Sequence, residues 1–165
     1  MVAAVVLAAG ASSRFGTLPP KQAVFLPDVL RRLRAAAPVA DVVVVLGAHQ
    51  VETDARAVRC PEWERGPGAS LRCGLAALGD GVDAAVVVLA DGPELASEAV
   101  ERVVAAWRQG RGDVVAASYA GVRGHPVLLA RAAWARVPDE GARALEPALV
   151  PCDDLGSPGD VDRRR

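Results

Sequence analysis

The sequence predicts a layered α/β domain built on a mostly parallel sheet, and three observations predict it. Short apolar runs alternate with helix-like stretches along the chain. The first three runs are nearly continuous Val, Ala and Leu, as in strands covered by helices on both faces. The first apolar run leads into a Gly- and Ser-containing loop, Gly10–Gly16, at the place where open α/β sheets bind ligands.

Five runs read as strands: Val2–Leu7, Val42–Leu46, Ala84–Leu89, Val114–Ala117 and Val127–Leu129. Between them, 28–37 sets Val29, Leu30 and Leu33 opposite three arginines, with Pro38 as its stop. The stretch 70–78 starts at Ser70, a candidate N-cap, and stops at Gly79. The stretch 97–109 has Ser97 as a candidate cap, Glu98 in its first turn and Gly110 after it. No repeat, low-complexity tract or linker interrupts the pattern, so residues 1–165 are expected to form one domain. The tail from Pro151 is mostly polar, ends in Arg163, Arg164 and Arg165, and reads as a solvated end.

Composition narrows the function. A chain of 165 residues, 52% hydrophobic, can bury a sizeable core. Its 19 basic and 20 acidic residues leave a net charge of −1, with no bulk positive field for nucleic acid or an anionic membrane. Aromatics make up 4%, too few for a base-stacking platform along a single strand. No apolar run approaches the roughly 18–20 residues of a membrane span. The opening Val2–Ala9 run is short and no Lys or Arg precedes it, so it reads as a strand, and the protein is expected to be cytoplasmic. Cys60, Cys73 and Cys152 are odd in number and far apart. They are expected to form neither a disulfide framework nor a CxxC metal site, as in a reducing compartment. Every basic residue is Arg except Lys21, which is either a chance survivor on a loop or a position that needs an ammonium.

The loop Gly10–Gly16 joins the first strand to a later helix and holds small residues, hydroxyls including Ser12, and Arg14. Glycines let backbone N–H groups turn toward an anion, and Arg14 and Lys21 add positive charge, which suits a triphosphate. Neither a GxGxxG nor a Walker A pattern is present, and a plain strand-to-helix turn remains open. Asp91 ends an apolar strand, where a carboxylate is costly without a cationic partner; Mg²⁺ is one, and a turn or cap role is the alternative. A second loop, Gly66–Arg72, runs into a helix and could approach a base or ribose, or simply supply its cap. His125, between Gly124 and Pro126, could orient a phosphate or be structural; with no second histidine near it, zinc is not expected. Residues 139–143 read as a charged turn.

Taken in order, Leu7-Ala-Ala-Gly-Ala-Ser-Ser-Arg-Phe-Gly16, Lys21, Gly66 to Arg72, Leu89-Ala-Asp91, Gly124-His-Pro126 and Gly141-Ala-Arg143 resemble the MobA-like nucleotidyltransferases. The likeness is greatest to the molybdenum cofactor cytidylyltransferase branch, because Ala8-Ala9 stands where the guanylyl branch has Gly-Gly. The resemblance implies a Rossmann-like three-layer domain. It implies transfer of a nucleotidyl group, CMP from CTP, to a phosphorylated acceptor such as the molybdenum cofactor, with release of pyrophosphate and with Mg²⁺ as cofactor. By position, Ala8, Ala9, Gly10 and Ser12 would meet the nucleotide. Arg14 and Lys21 would hold the triphosphate, and Asp91 would bind the metal. Ser70, Leu71 and Arg72 would flank base and ribose, and His125 and Arg143 would lie toward the acceptor. A molybdoenzyme or chaperone is the implied protein partner.

Four departures accompany the likeness. Gly92 stands where a polar residue is usual, and Cys60 lies near a usual Asn or Asp. The stretch from Lys21 to Asp28 is shortened. Gly156 replaces a carboxylate that commonly helps bind metal, leaving Asp154 or Asp153 to substitute. Use of GTP or another acceptor, and a nucleotide-binding protein with weakened turnover, are the competing expectations.

Overall fold

The computed structural model describes residues 1–10 and 21–158, and the side chains from residue 23 onward in the second stretch. Seven strands form one sheet in the order β3-β2-β1-β4-β6-β5-β7. They are β1 (Val2–Ala8), β2 (Val39–Leu46), β3 (Arg56–Arg59), β4 (Ala84–Leu89), β5 (Val114–Tyr119), β6 (Val122–Ala130) and β7 (Ala148–Pro151). β1 pairs in parallel with both β2 and β4, β2 with β3, and β5 with β7. β6 runs antiparallel between β4 and β5. The sheet is thus the mostly parallel, helix-flanked Rossmann-like sheet expected.

Two cores explain the continuous apolar runs. Ala4 and Val6 of β1, with Val86 and Val88 of β4, face the core filled by helices α1 (Lys21–Ala35) and α3 (Ser97–Arg108). Ala3 and Val5 of β1, with Ala85 and Val87 of β4, face the opposite core, filled by α2 (Pro67–Ala76) and Ala133 of the short helix α4 (Arg131–Trp134). Alternate side chains serve alternate faces, so every residue of these strands must be apolar. Trp107 packs against the first core and Trp134 against the second.

Several boundaries differ from expectation. α1 begins at Lys21, before Asp28, and carries Pro27 inside it. Leu26 extends the buried stripe of Val29, Leu30 and Leu33, and that burial outweighs the backbone hydrogen bond a proline cannot make. Ser70 is not a cap: α2 starts at Pro67, with Gly66 at the cap position, and Ser70 lies buried in the helix. Ser97 makes no cap bond either; its hydroxyl donates to the Arg32 carbonyl (2.6 Å) and ties α3 to α1. β3 and β7 are edge strands of four residues each, partly solvent-facing; β3 is bounded by Arg56 and Arg59 and so lacks an apolar run, whereas β7 is a short apolar stretch that the five expected runs do not include. β6 is longer than 127–129 because Ala120 (φ 53°) and Gly121 (φ 78°) form a tight turn that pairs Tyr119 with Val122.

The cysteine expectation is corrected. Cys60 and Cys73 form a disulfide, with Cα atoms 5.9 Å apart, and Cys152 is free and buried. Cys60 follows β3, and the chain doubles back through a one-turn 3₁₀ helix (Trp63–Arg65) so that α2 returns Cys73 beside it. The cysteine count therefore no longer argues for a reducing compartment. Among the described residues no helix is long and apolar enough to cross a membrane. Alkylation of the denatured protein should label a single cysteine, Cys152, without reductant and all three after reduction. Three labels without reductant would refute the disulfide.

Candidate active site

The strand order reverses between β1 and β4: the chain lays β2 and β3 on one side of β1, then returns to place β4 on the other. A crevice opens at the carboxyl ends of strands at such a point. Leu7 and Leu89 pair across it, and the Leu7 carbonyl accepts the Ala90 N–H (3.0 Å). The Ala9 carbonyl accepts the Ala48 N–H (3.1 Å), which anchors the β1 end to the loop after β2.

A cavity of about 350 Å³ lies over this point. Ala9, Gly10, Ser70 and Asp91 all line it, from the ends of β1 and β4 and the start of α2. Asp91 is 8% exposed and sits in the turn in which the Gly92 N–H reaches the Leu89 carbonyl (3.2 Å). Trp63 and Glu64, to which the sequence reading gave no role, line the same cavity. A cavity of about 490 Å³ adjoins it and shares Leu7, Pro67 and Leu89. Leu71, His125 and Arg143 line this second space, together with Arg123 and Glu140. A smaller space of about 150 Å³ shares Gly124 and His125 and is bounded by Ser157 and Pro158. The Pro158 carbonyl accepts the Glu94 N–H (3.2 Å), so the chain after β7 returns to the Asp91 loop.

Other expected residues lie elsewhere. Ala8 is buried in the core on the α1 and α3 side. Arg72 lines none of these spaces; it donates to the Val137 carbonyl (2.9 Å) and pairs with Asp139, clamping the 137–139 segment. Asp154 is likewise turned to another task. Both its oxygens accept from Arg102 of α3 (2.8 and 2.7 Å), and this hydrogen-bonded guanidinium holds the carboxyl below its usual range. Ser12 and Arg14 lie outside the described residues, as does the side chain of Lys21, which opens α1.

The wall between the two main cavities depends on glycine. The Gly68 N–H donates to the Asp139 carbonyl (2.9 Å), and a Cβ on Gly68 would stand 1.6 Å from the Pro138 carbonyl oxygen. Gly66 has φ 134°, and its Cβ would meet the Asp139 carbonyl oxygen at 2.4 Å. Arg65 and Arg72 both pair with the Asp139 carboxylate. The second cavity is shaped by two further clamps. Arg123 donates to the carbonyls of Leu145 (2.7 Å), Ala142 (3.2 Å) and Arg143 (3.3 Å), gathering the turn that presents Arg143. The Tyr119 hydroxyl donates to the His125 carbonyl (2.7 Å), and its ring fills the space a Gly124 Cβ would need. Burial pushes the Tyr119 hydroxyl up to about 12, so it remains a neutral donor at physiological pH.

A nearly buried carboxylate thus faces strand-end backbone groups in one cavity, and a cation and a histidine border the next. That arrangement can hold two substrates side by side.

The family model for the MobA-like NTP transferase domain matches residues 4–148, and the chain belongs to that family. A search of the curated proteins finds no match. Among solved structures, Rv0371c from Mycobacterium tuberculosis is 27% identical with a TM-score of 0.79, over 98% of this chain and 93% of that one. A nucleotidyl transferase from Methanothermobacter thermautotroptrophicus shares the fold at 19% identity and a TM-score of 0.76, over 99% and 92%. CMP:2-keto-3-deoxy-manno-octonic acid synthetase, solved with CTP, shares it at 14% and 0.74, over 98% and 93%.

Two outcomes are expected. Gly68→Ala should lower stability by about 1–3 kcal/mol or more, read from the denaturant midpoint, because the clash falls on backbone. The Asp139 carboxyl is held below its usual range chiefly by the hydrogen bond from Arg72, with Arg65 adding to it. The folded state therefore binds fewer protons than the unfolded state. The stability this gives is complete above about pH 4 and is lost as pH falls through the folded value. Asp139→Asn should flatten the acid limb of the stability profile; an unchanged limb would count against the clamp.

Proposed function

We propose that the protein is a Mg²⁺-dependent cytidylyltransferase that moves CMP from CTP to a phosphorylated acceptor of the molybdenum cofactor type, in the cytoplasm. The observation that carries this reading is the juxtaposition at the β1–β4 crossing. Asp91 faces Ala9 and Gly10 in one cavity, and the next cavity is bordered by His125 and Arg143. The Ala8-Ala9 pair supports CTP over GTP, by resemblance.

Asp91 fits a magnesium ion: it offers a hard oxygen donor, nearly buried, on the cavity floor. Mg²⁺ needs only one or two carboxylates when phosphate oxygens and water complete its shell. When bound, it supplies charge stabilisation on the phosphates and a template for in-line attack. In this reading the backbone of Ala9 and Gly10 approaches the nucleotide, and Arg14 and Lys21 neutralise the charge that grows on pyrophosphate. Arg143 holds the acceptor phosphate, and His125 orients it. The acceptor phosphate oxygen forms a bond to the α-phosphorus as the bond to pyrophosphate breaks. No protein nucleophile is required, so positioning and charge dominate catalysis.

One observation favours a second reading, a nucleotide-binding protein with weakened turnover. Gly156 stands where the family commonly has a metal carboxylate, and Asp154 is held by Arg102.

Pyrophosphate release from each nucleoside triphosphate with candidate acceptors separates the readings: CTP turnover supports the first, and CTP binding without product under any acceptor supports the second. Lys21→Ala and Asp91→Ala should each lose about 100- to 1000-fold in rate while remaining folded. Near-wild-type turnover of either would defeat the assignment.

A further inference from the structure

The first cavity contains an aromatic ring and a carboxylate that phosphate binding does not explain. Trp63 and Glu64 are consecutive on the 3₁₀ helix before α2, and both line the cavity that holds Ala9, Gly10 and Asp91. A carboxylate is a poor neighbour for a triphosphate. It is a good neighbour for an amino group, from which it accepts a charge-assisted hydrogen bond. Among the described residues Glu64 makes no ion pair, whereas Glu62 of the same turn is held by Arg65 (2.7 Å). Glu64 is also exposed, so its charge is kept at little desolvation cost until a ligand arrives.

Trp63 is held in place. A Cβ on Gly47 would come within 2.7 Å of Trp63 Cβ and Cγ, and within 2.6 Å of the Ala9 carbonyl oxygen. The root of the indole therefore lies against the backbone after β2 and close to the end of β1. The ring is half-buried and packs against the second core. It is a preset flat surface beside the backbone that would carry the nucleotide.

We propose that Trp63 and Glu64 form the base-reading wall of the nucleotide site. Trp63 packs on the base, and the Glu64 carboxylate accepts a hydrogen bond from the exocyclic amino group of cytosine. Uracil presents a carbonyl oxygen at that position, which the carboxylate repels. The pair thereby selects CTP over UTP. The inference rests on the nucleotidyltransferase reading above and adds the groups that choose the base.

The test measures dissociation constants for CTP and UTP, with Mg²⁺, by calorimetry on the wild type, Glu64→Gln and Trp63→Ala, with the melting temperature of each to show that it is folded. A glutamine can turn either amide atom toward the base, so Glu64→Gln should reduce the preference for CTP over UTP about 10-fold or more. Trp63→Ala should weaken both nucleotides, by about 5- to 100-fold, since stacking ignores base identity. An unchanged CTP-to-UTP ratio in folded Glu64→Gln, or undiminished binding in Trp63→Ala, overturns the proposal and leaves the nucleotidyltransferase reading standing. If the wild type binds no nucleoside triphosphate, both fall.

Discussion

The site depends on a backbone contact that no side chain could replace. The Gly66-Pro67-Gly68 entry to α2 lies directly on the Pro138–Asp139 backbone, too close for a Cβ at either glycine. Two guanidinium groups then grip Asp139, one on each carboxylate oxygen, one from the 3₁₀ turn and one from α2. Remove the close approach and the start of α2 must lift, carrying with it Ser70 from one cavity and Leu71 from the other. Protein interiors do not absorb such shifts gradually, because they are packed near crystal density. A single seam thus sets the distance between the cavity over the β1 and β4 ends and the cavity beside it.

Arginine is used throughout as a fastener. Arg72 fixes the 137–139 segment, Arg123 gathers three carbonyls of the 142–145 turn, and Arg102 binds Asp154 through both oxygens. The planar five-donor guanidinium suits this work, since it meets carbonyls and carboxylates in fixed directions. It also accounts for two positions that the family resemblance places at the site. Arg72, expected to flank base and ribose, pairs with Asp139, and Asp154, expected at the metal, accepts from Arg102.

What the sequence makes legible follows from burial. β1, β4 and the 42–46 part of β2 are covered by helices and announce themselves as unbroken apolar runs, whereas β3 is broken by arginines and β7, though apolar, is only four residues long and half-exposed at the edge. The strand-end rule points to Gly10 and Asp91, because it depends only on where apolar runs stop, whereas Ala9 enters through the family resemblance. Trp63 and Glu64 escaped it. They belong to a one-turn helix between an edge strand and α2, and their place over the β1 end comes from chain reversal. The Cys60–Cys73 pairing escaped for the same reason, since separation in sequence says nothing of a chain that doubles back.

That pairing closes a ring of chain from the end of β3 to the middle of α2, and Trp63, Glu64 and Ser70 all lie inside it. A covalently closed ring wanders through fewer shapes than an open loop of the same length. One flank of the cavity is therefore assembled before any ligand enters, and little ordering is left to oppose association.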